Sequence, residues 1–191
     1  MKKMNRVSVA ANGTIGKTNG LVKLDIGCGL NKRDGFLGID RTPDVGVDYQ
    51  LDIEKMALPF DNSSVDEIYC GHLVEHLSDL IYFMNECHRV LKPNGVITVL
   101  APYYTAIQAS QDPTHVRYIN ERTFHYFTDE YLGNDATFDY GISCKFNVES
   151  TEFTYINLWS KPWIPNRVRT WARHHLFNVA VDITVVMKAV K

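Results

Sequence analysis

The residues whose types and spacing most directly suggest chemistry lie in the stretch LVKLDIGCGLNKRDGFLGID, from Leu21 to Asp40. An apolar run ends on Asp25, a turn with Gly27 and Gly29 follows, and a second apolar run ends on Asp40. Glycines in such a turn let a ligand touch backbone amides, because no Cβ intervenes. A carboxylate at the end of the next strand can accept hydrogen bonds from both hydroxyls of a ribose. The stretch therefore predicts a site for a nucleoside-bearing cofactor.

The spacing of these residues narrows the choice of cofactor. A dinucleotide site has the pattern GxGxxG and an acid about 20 residues further on. Here Lys32 occupies the position of the third glycine, and Asp40 follows Gly27 after only 13 residues. The phosphate-binding patterns GxxxxGKS and GxxxxGKT are absent from the sequence as well. Both departures weigh against NAD and ATP.

Two histidines and an acid follow the predicted strand Val65–Cys70. His72, Glu75 and His76 begin the next segment, so we expect them to face the edge of the sheet that carries the cofactor. A histidine that titrates near neutral pH is the usual candidate for a general base. The alternative, that these residues cap the coming helix or lie in the core, stays open.

A long loop follows the predicted strand Val96–Pro102, and loops of this length in compact domains tend to be functional. We predict that it forms a substrate wall with His115 as the first candidate for a general base, ahead of His72 and His76. In the same prediction, Asp112 orients the imidazole of His115 and Arg117 holds an anionic substrate. Tyr103 and Tyr104 also contact the substrate. The alternative is an ordinary turn that starts at Asp-Pro.

The elements that must position these residues can be predicted from hydrophobic periodicity. Apolar runs predict strands at Val22–Ile26, Phe36–Ile39, Val65–Cys70 and Val96–Pro102, with a weaker one at Val47–Leu51. Apolar residues recur at helical spacing between Ser78 and Leu91, which predicts a helix. Strand, helix and strand in this order form a βαβ unit, which favours parallel strands.

The second half of the chain predicts a helix over Asn120–Leu132, a strand over Cys144–Trp159, a helix over Ile164–Phe177 and a strand over Asp182–Lys191. The fold class is therefore α/β. In the last helix we expect one apolar face against the sheet and solvated arginines outside; this face consists of Ile164, Val168, Trp171, Ala172 and Leu176. The alternative for this basic, aromatic segment is contact with an acidic substrate, RNA or a membrane surface.

Four stretches occur in the order found in one known family: LDIGCG, GID, LDIEKMALPFDNSSVDEIYCGHLVEHL and HRVLKPNGVITVLAP. With them, residues from about Leu21 to Pro102 resemble the class I S-adenosylmethionine-dependent methyltransferases. The resemblance implies a first cofactor motif made of Asp25, Gly27, Cys28 and Gly29, although we assign no chemistry to the cysteine. It also implies that Asp40 binds the ribose and that Asp52 and Ile53 lie beside the adenine. The loop after the fourth strand would then contribute Cys70, Gly71 and His72.

The same resemblance implies a Rossmann-like sheet of seven mostly parallel strands, flanked by helices, with an antiparallel last strand. S-adenosylmethionine would lie across the carboxyl edge of that sheet and donate a methyl group. One feature departs from the commonest pattern: too few residues separate Gly27 from Phe36 for a full crossover helix. We therefore expect a single turn or no helix there. The methionine carboxylate would then depend on loop amides, or on Lys32 or Arg33.

Length and composition restrict the other possibilities. The chain has 191 residues and a net charge of −2, which fits one domain and gives no support for nucleic acid as a general partner. We expect residues 1–20 to be a flexible arm or lid and residues 21–191 to form the methyltransferase domain. The four cysteines form no CxxC pair or metal-type cluster, so we expect reduced thiols, a cytoplasmic location and no metal site. No apolar window is long enough for a membrane span.

The sequence does not specify the methyl acceptor or the oligomeric state. A small molecule is the expected acceptor, since no appended nucleic-acid-binding domain is visible. Two alternatives remain open: a non-catalytic protein that binds S-adenosylmethionine or S-adenosylhomocysteine, and a methyltransferase that acts on RNA or protein. Aminopropyl transfer on the same fold is disfavoured, because no acid-rich amine-binding signature is evident.

Overall fold

The computed structural model describes residues 8–9, 20–43, 47–132 and 140–191 of the chain. In chain order its strands are β1 (Ser8–Val9), β2 (Lys23–Ile26), β3 (Leu37–Asp40), β4 (Tyr49–Gln50), β5 (Val65–Gly71), β6 (Leu91–Pro102), β7 (Phe146–Tyr155) and β8 (Ala180–Ala189). The α-helices are α1 (Leu80–Val90), α2 (Ile107–Gln111), α3 (Asp129–Leu132) and α4 (Asn166–His175). Short 3₁₀ segments cover Val74–His76, Thr123–Phe127 and Asn157–Ser160.

All of these strands belong to one mixed sheet with the order β1-β4-β3-β2-β5-β6-β8-β7. Strands β2 to β6 are parallel to one another, whereas β8 is antiparallel to both β6 and β7. This confirms the predicted Rossmann-like α/β sheet with an antiparallel last strand. The two-residue β1 adds an antiparallel edge to β4. It lies in the segment that the sequence assigns to an arm, of which only residues 8, 9 and 20 are described.

Side chains alternate between the two faces of the sheet along each strand, and the buried apolar ones form the core on one of these faces. Ile26, Ile68 and Ile97 occupy neighbouring strands and are fully buried on this face. Helix α1 begins at the predicted place, where the side chain of Asp79 accepts a hydrogen bond from the amide of Tyr82. It turns one apolar face inward, made of Leu80, Phe83, Met84, Cys87 and Val90.

No crossover helix connects β2 to β3, as expected from the short spacing. The ten intervening residues, 27–36, form turns instead. Their side chains cover part of the sheet through cation–π contacts: the Arg33 guanidinium lies 3.5 Å from the ring centroid of Tyr69, and Lys23 Nζ lies 5.4 Å from that of Phe36. Polar and charged side chains thus lie where a crossover helix would pack, and the carboxyl end of β2 is left uncovered.

The second half of the chain departs from the sequence-based expectation in two places. The helix predicted over Asn120–Leu132 is divided into the 3₁₀ segment Thr123–Phe127 and the short helix α3. The long loop after β6 contains the five-residue helix α2.

Within the described ranges, no helix is long and apolar enough to cross a membrane.

Helix α4 buries a different set of residues from the one expected. Ala172 and Arg173 are buried, whereas Val168 and Trp171 are exposed, Trp171 by 55%. The buried guanidinium of Arg173 is accommodated because it lies 3.7 Å from the ring centroid of Phe153 and pairs with Glu121 at 3.2 Å. The prediction that Val168, Trp171 and Leu176 face the sheet is therefore wrong, while Ile164 and Ala172 are buried as expected.

Candidate functional site

A cavity of about 180 Å³ opens at the carboxyl ends of β2 and β3. In an open parallel sheet this edge is where ligands bind. Four of the predicted cofactor residues line the cavity: Gly27, Asp40, Asp52 and Ile53. The remaining lining residues are Ile26, Ile39, Arg41, Leu51, Glu54, Leu73, His76, Leu77 and Thr114. The cavity thus combines an apolar wall with acids at one end.

Asp40 is held in place by backbone amides from both sides. Its Oδ2 accepts a hydrogen bond from the amide of Gly29 at 2.9 Å, and its Oδ1 accepts one from the amide of Thr42 at 2.8 Å. Because each carboxylate oxygen has more than one lone pair, both can still accept a hydroxyl hydrogen from a ligand. The side chain is therefore held in one orientation with acceptor capacity to spare.

Gly27 lies where the cavity meets the glycine turn. Its φ of +74° belongs to the left-handed region, and its amide donates to the carbonyl of Ile39 at 2.7 Å. A Cβ at this position would lie 3.0 Å from Leu73 Cδ1. Only glycine therefore allows both the backbone conformation and the close approach of Leu73.

A second cleft begins on the other side of Gly27. It is lined by Asp25, Gly27, Cys28, Asn31, Arg33, Tyr69, Gly71 and His72. The carboxylate of Asp25 is buried and accepts from the amide of Arg33 at 2.8 Å, and burial raises the pKa of this carboxyl group. Because the two clefts share Gly27, an elongated ligand can place a nucleoside in the first and a charged tail in the second. Lys32 instead pairs with Asp48 at 2.9 Å, which leaves Arg33 as the cation of this cleft.

Two acids that line the first cavity, Asp52 and Glu54, are fixed by nearby groups. The side chain of Lys55 donates to Asp52 and holds the pKa of that carboxyl below its ordinary value. Glu54, which the sequence did not single out, also lines the cavity and accepts hydrogen bonds from both the amide and the hydroxyl of Ser78. These hydrogen bonds lower the pKa of Glu54. Both carboxylates are therefore ionised acceptors near neutral pH.

Two predicted cysteines lie in different surroundings. Cys70 lies within β5 on the core face, and its Sγ is 3.7 Å from the carbonyl oxygen of Thr98. It lines neither cleft, because its side chain points to the opposite face of the sheet from that of Tyr69, which lines the second cleft. Cys28 lines the second cleft, and burial raises the pKa of its thiol to about 11. The thiol is therefore protonated at neutral pH.

The histidines after β5 are divided between the two clefts. His72, with a left-handed φ of +52°, lies at the second cleft with its imidazole half exposed. His76 lines the first cavity. Between them Glu75 is buried, and its Oε1 lies 3.5 Å from His72 Nδ1. The structure thus places two imidazoles at the expected edge of the sheet.

The loop after β6 brings His115 to this group but not into either cleft. The rings of His115 and His76 meet edge to face, with centroids 4.6 Å apart. His115 Nδ1 contacts the carbonyl of Ala109 at 3.1 Å. Asp112 approaches only the other nitrogen, Nε2, at 3.9 Å, and accepts instead from Thr114. The predicted pairing, in which Asp112 orients His115, is therefore not the arrangement in the structure.

Most of the residues predicted to bind substrate are engaged elsewhere. The guanidinium of Arg117 donates to the backbone carbonyls of Leu77 and Ser78, so it is not directed at a ligand. The hydroxyl of the fully buried Tyr103 donates to Glu121 at 2.9 Å. Tyr103 and Tyr104 line a separate depression with Asn120, Glu121, Arg122 and His174. These partners are distant in sequence, and no local pattern indicates them.

Comparison with known proteins agrees with this geometry. Residues 24–99 match the family model described as "Methyltransferase domain". A "probable S-adenosylmethionine-dependent methyltransferase" of Mycolicibacterium smegmatis is 37% identical over 67 residues, which are 33% of this chain and 26% of that protein. Malonyl-[acyl-carrier protein] O-methyltransferase 1 of Coxiella burnetii is 39% identical over 64 residues, 28% of this chain and 23% of that protein. The matched segment is thus only about a quarter of the length of these curated relatives.

The fold is also shared by solved structures. A S-adenosylmethionine-dependent methyltransferase from Archaeoglobus fulgidus superposes with a TM-score of 0.59 at 19% identity, over 91% of this chain and 88% of that one. S-adenosylmethionine is the cosubstrate named for the relative from Mycolicibacterium smegmatis and for the neighbour from Archaeoglobus fulgidus. The family match over β2 to β6, the strand order and the residues around the first cavity together make this part of the chain similar to the methyltransferase domains of S-adenosylmethionine-dependent enzymes.

Proposed function

We propose that the chain transfers the methyl group of S-adenosylmethionine to an oxygen of a small-molecule acceptor. The observation that carries the proposal is Asp40, whose two oxygens are oriented by the amides of Gly29 and Thr42 at a cavity next to the glycine turn. An ionised carboxylate in this position recognises vicinal hydroxyls of a ribose. The name of the Coxiella burnetii relative, an O-methyltransferase, supports an oxygen acceptor.

The residues around the two clefts divide the work of binding. Asp40 accepts the ribose hydroxyls, while Ile53 and Leu77 provide apolar contacts for a flat base in the first cavity. In the second cleft, Arg33 and the side-chain amide of Asn31 provide donors for a carboxylate. A full crossover helix would present its N-terminus to that carboxylate. In this chain the guanidinium of Arg33, held over Tyr69, takes that role.

When bound, the cosubstrate supplies an electrophilic methyl group, whose bond to sulfur breaks as the bond to the acceptor oxygen forms, leaving S-adenosylhomocysteine. The chain must then align the acceptor and exclude water, which in model systems contributes about 7–11 kcal/mol to rate acceleration. If the acceptor is a hydroxyl, its proton must be removed. We assign this step to His72, because its imidazole is half exposed at the second cleft.

Calorimetric titration of the purified chain with S-adenosylmethionine, S-adenosylhomocysteine and NAD tests the proposal. The first two ligands should bind and NAD should not. Asp40→Ala should weaken binding of the first two by roughly 100-fold or more, since it removes two hydrogen bonds to a charged group that contribute about 1.5–3 kcal/mol each. Asp61→Ala, which removes an acid from outside the cavity, should bind like the natural chain.

The remaining alternative, a protein that binds the cosubstrate without turnover, has a distinct outcome. It predicts the same binding but no transfer of labelled methyl to any oxygen-containing acceptor. Binding of NAD, or equal affinity in Asp40→Ala, would contradict the assignment of the cavity itself.

A further inference from the structure

A cluster of three side chains beside the first cavity has the composition of a metal site. Glu75, His76 and His115 each offer one ligand atom, and these three atoms lie within 4.8 Å of one another. We propose that this cluster binds a divalent transition-metal ion such as Zn²⁺. The sequence-based expectation was that the chain has no metal site; the cluster forms only when the loop after β6 meets the segment after β5.

Glu75 is the strongest indication of a ligand. Its side chain is 2% exposed, and neither of its carboxylate oxygens receives a hydrogen bond from the described part of the chain. Burying an ionised carboxylate without such partners is costly, because water no longer solvates the charge. His72 Nδ1 lies 3.5 Å from Oε1 of Glu75, so it is within ion-pair distance of one of the two carboxylate oxygens. A bound cation would satisfy the remaining charge.

The hydrogen bonds around His76 leave one of its ring nitrogens free. Thr114 Oγ1 is 2.7 Å from Asp112 Oδ1 and 2.9 Å from His76 Nδ1. A hydroxyl has one hydrogen, which it donates to the carboxylate, so it must accept from the imidazole. His76 Nδ1 therefore carries the hydrogen, and Nε2 presents a lone pair.

The same reasoning applies to His115. Its Nδ1 lies 3.1 Å from the carbonyl oxygen of Ala109, which can only accept. Nδ1 is then the donor, and Nε2 is again left with a lone pair. Metal-binding histidines characteristically donate their second ring N–H to a carbonyl or carboxylate in this way, which fixes the tautomer and the ring orientation.

Backbone contacts bring the two ligand-bearing segments together. The amide of Val116, next to His115, donates to the carbonyl of Glu75 at 2.9 Å. Arg117 then binds the carbonyls of Leu77 and Ser78. The loop after β6 is thus tied to the 3₁₀ segment that carries Glu75 and His76, so the ligands from the two segments are held at a fixed separation.

Two imidazoles and one carboxylate form a donor set that suits Zn²⁺, Fe²⁺ or Co²⁺ better than Mg²⁺, which prefers oxygen ligands. A Zn²⁺ ion binds such ligands at about 2.0–2.2 Å, so small side-chain rotations must draw the three atoms closer. Three protein ligands leave a coordination position open. His76 lines the first cavity, so the ion would lie at its wall.

Titration of the chelator-treated, tag-free full chain with Co²⁺ tests the site, because ligation of Co²⁺ by nitrogen and oxygen produces visible absorption. We expect saturation at one ion per chain and displacement by Zn²⁺. Glu75→Gln and His115→Ala should weaken binding by more than about 100-fold, since loss of a supporting hydrogen bond alone costs 10- to 100-fold. Thr114→Val, which removes no ligand but only the hydroxyl that contacts His76 and Asp112, should fall within that smaller range. His175→Ala, an exposed histidine on α4, serves as the matched control.

The outcomes of these titrations distinguish failure of the metal site from failure of the proposed methyltransferase function. No binding by the natural chain, or equal affinity in Thr114→Val and His115→Ala, would overturn the metal site. Thr114→Val also covers the case in which Glu75→Gln fails to fold. Asp40→Ala should keep its metal affinity and lose that for S-adenosylmethionine. Metal binding without any binding of S-adenosylmethionine would refute the proposed function and leave the metal site standing.

Discussion

At the scale of single residues, the two glycines of the turn have different surroundings. Gly27 and Gly29 both have positive φ angles, +74° and +49°. A Cβ on Gly27 would contact Leu73 at 3.0 Å, whereas one on Gly29 would enter open space. Substitution of Gly29 therefore tests the cost of the backbone conformation alone. Substitution of Gly27 adds the cost of the steric contact with Leu73 at the cavity.

We predict that Gly27→Ala and Gly29→Ala each reduce the free energy of unfolding by about 1–2 kcal/mol, the cost of a left-handed residue with a Cβ. Only Gly27→Ala should also weaken binding of S-adenosylmethionine, by at least tenfold, because Leu73 has to move into the cavity that it lines. Denaturant unfolding and calorimetry measure the two effects. Equal loss of affinity in both variants would show that the contact with Leu73 is irrelevant to binding.

At the scale of elements, α1 holds the long connection between β4 and β5 through two charged side chains. Glu86 Oε1 accepts from the amide of Leu58 at 2.6 Å and from Arg89 at 2.7 Å. Arg89 also donates to the carbonyls of Phe60 and Leu58 at 2.9 and 3.0 Å. The connection has no helix of its own, so this pair anchors the segment that follows the cavity residues Asp52, Ile53 and Glu54.

The Glu86–Arg89 pair predicts a loss of stability in acid. Burial acts to raise the pKa of Glu86, but the hydrogen bonds from Arg89 and Leu58 outweigh it, so the pKa in the folded chain lies below the ordinary 4.5. The resulting stabilisation is present above the unfolded-state pKa and is lost as the pH falls through the folded-state pKa. Unfolding free energy measured at pH values around and below 4.5 should therefore fall less steeply for Glu86→Gln than for the natural chain. Identical slopes would contradict this account.

Helix α4 is attached to the sheet by a buried charge. Arg173 pairs with Glu121 at 3.2 Å and donates to the hydroxyl of Tyr155 at 3.2 Å. Removing one partner of a buried pair leaves the other without compensation, at a cost of about 3–5 kcal/mol.

We predict that Arg173→Met lowers the free energy of unfolding by about 3 kcal/mol, and that adding Glu121→Gln restores part of this loss. A double-mutant cycle by denaturant unfolding measures the coupling. Strictly additive effects would show that the pair does not attach the helix.

At the scale of the whole molecule, the strands around the first cavity and the strands β6 and β8 differ in how many residues they pair. β6 and β8 pair over seven residues, from Val96 with Lys188 to Pro102 with Asp182, whereas β3 and β4 pair over only two. We predict that S-adenosylmethionine slows amide hydrogen exchange in residues 27–33 and 48–53 and leaves β6 and β8 unchanged. Hydrogen exchange followed by mass spectrometry is the measurement. Uniform protection of the whole sheet would mean that only global stability changed.

The positions of most strands along the chain, the position of α1 and the missing crossover helix could be predicted from local periodicity and spacing, whereas the antiparallel last strand followed from the family resemblance. Gly27, Asp40, Asp52 and Ile53 line one cavity, and a short motif and the resemblance had grouped them; that this cavity binds a cofactor stays a prediction. The orientation of α4 and the engagement of Arg117 could not be predicted. Arg173 is buried because Glu121 lies beside it, 52 residues earlier in the chain, and Arg117 binds carbonyls 39 and 40 residues earlier.

The two hydrogen bonds between the glycine turn and β3 have a consequence for how this domain can vary in length. The amide of Gly27 is bonded to Ile39, and that of Gly29 to Asp40, so β3 itself fixes the shape of the turn. The segment 30–36 between them lies outside this unit, and Leu30 projects into solvent. We therefore expect that residues can be inserted near Leu30, even enough for a whole helix, without disturbing the hydrogen bonds of Gly27 and Gly29. The length of this connection and the shape of the glycine turn are then separable properties of the fold.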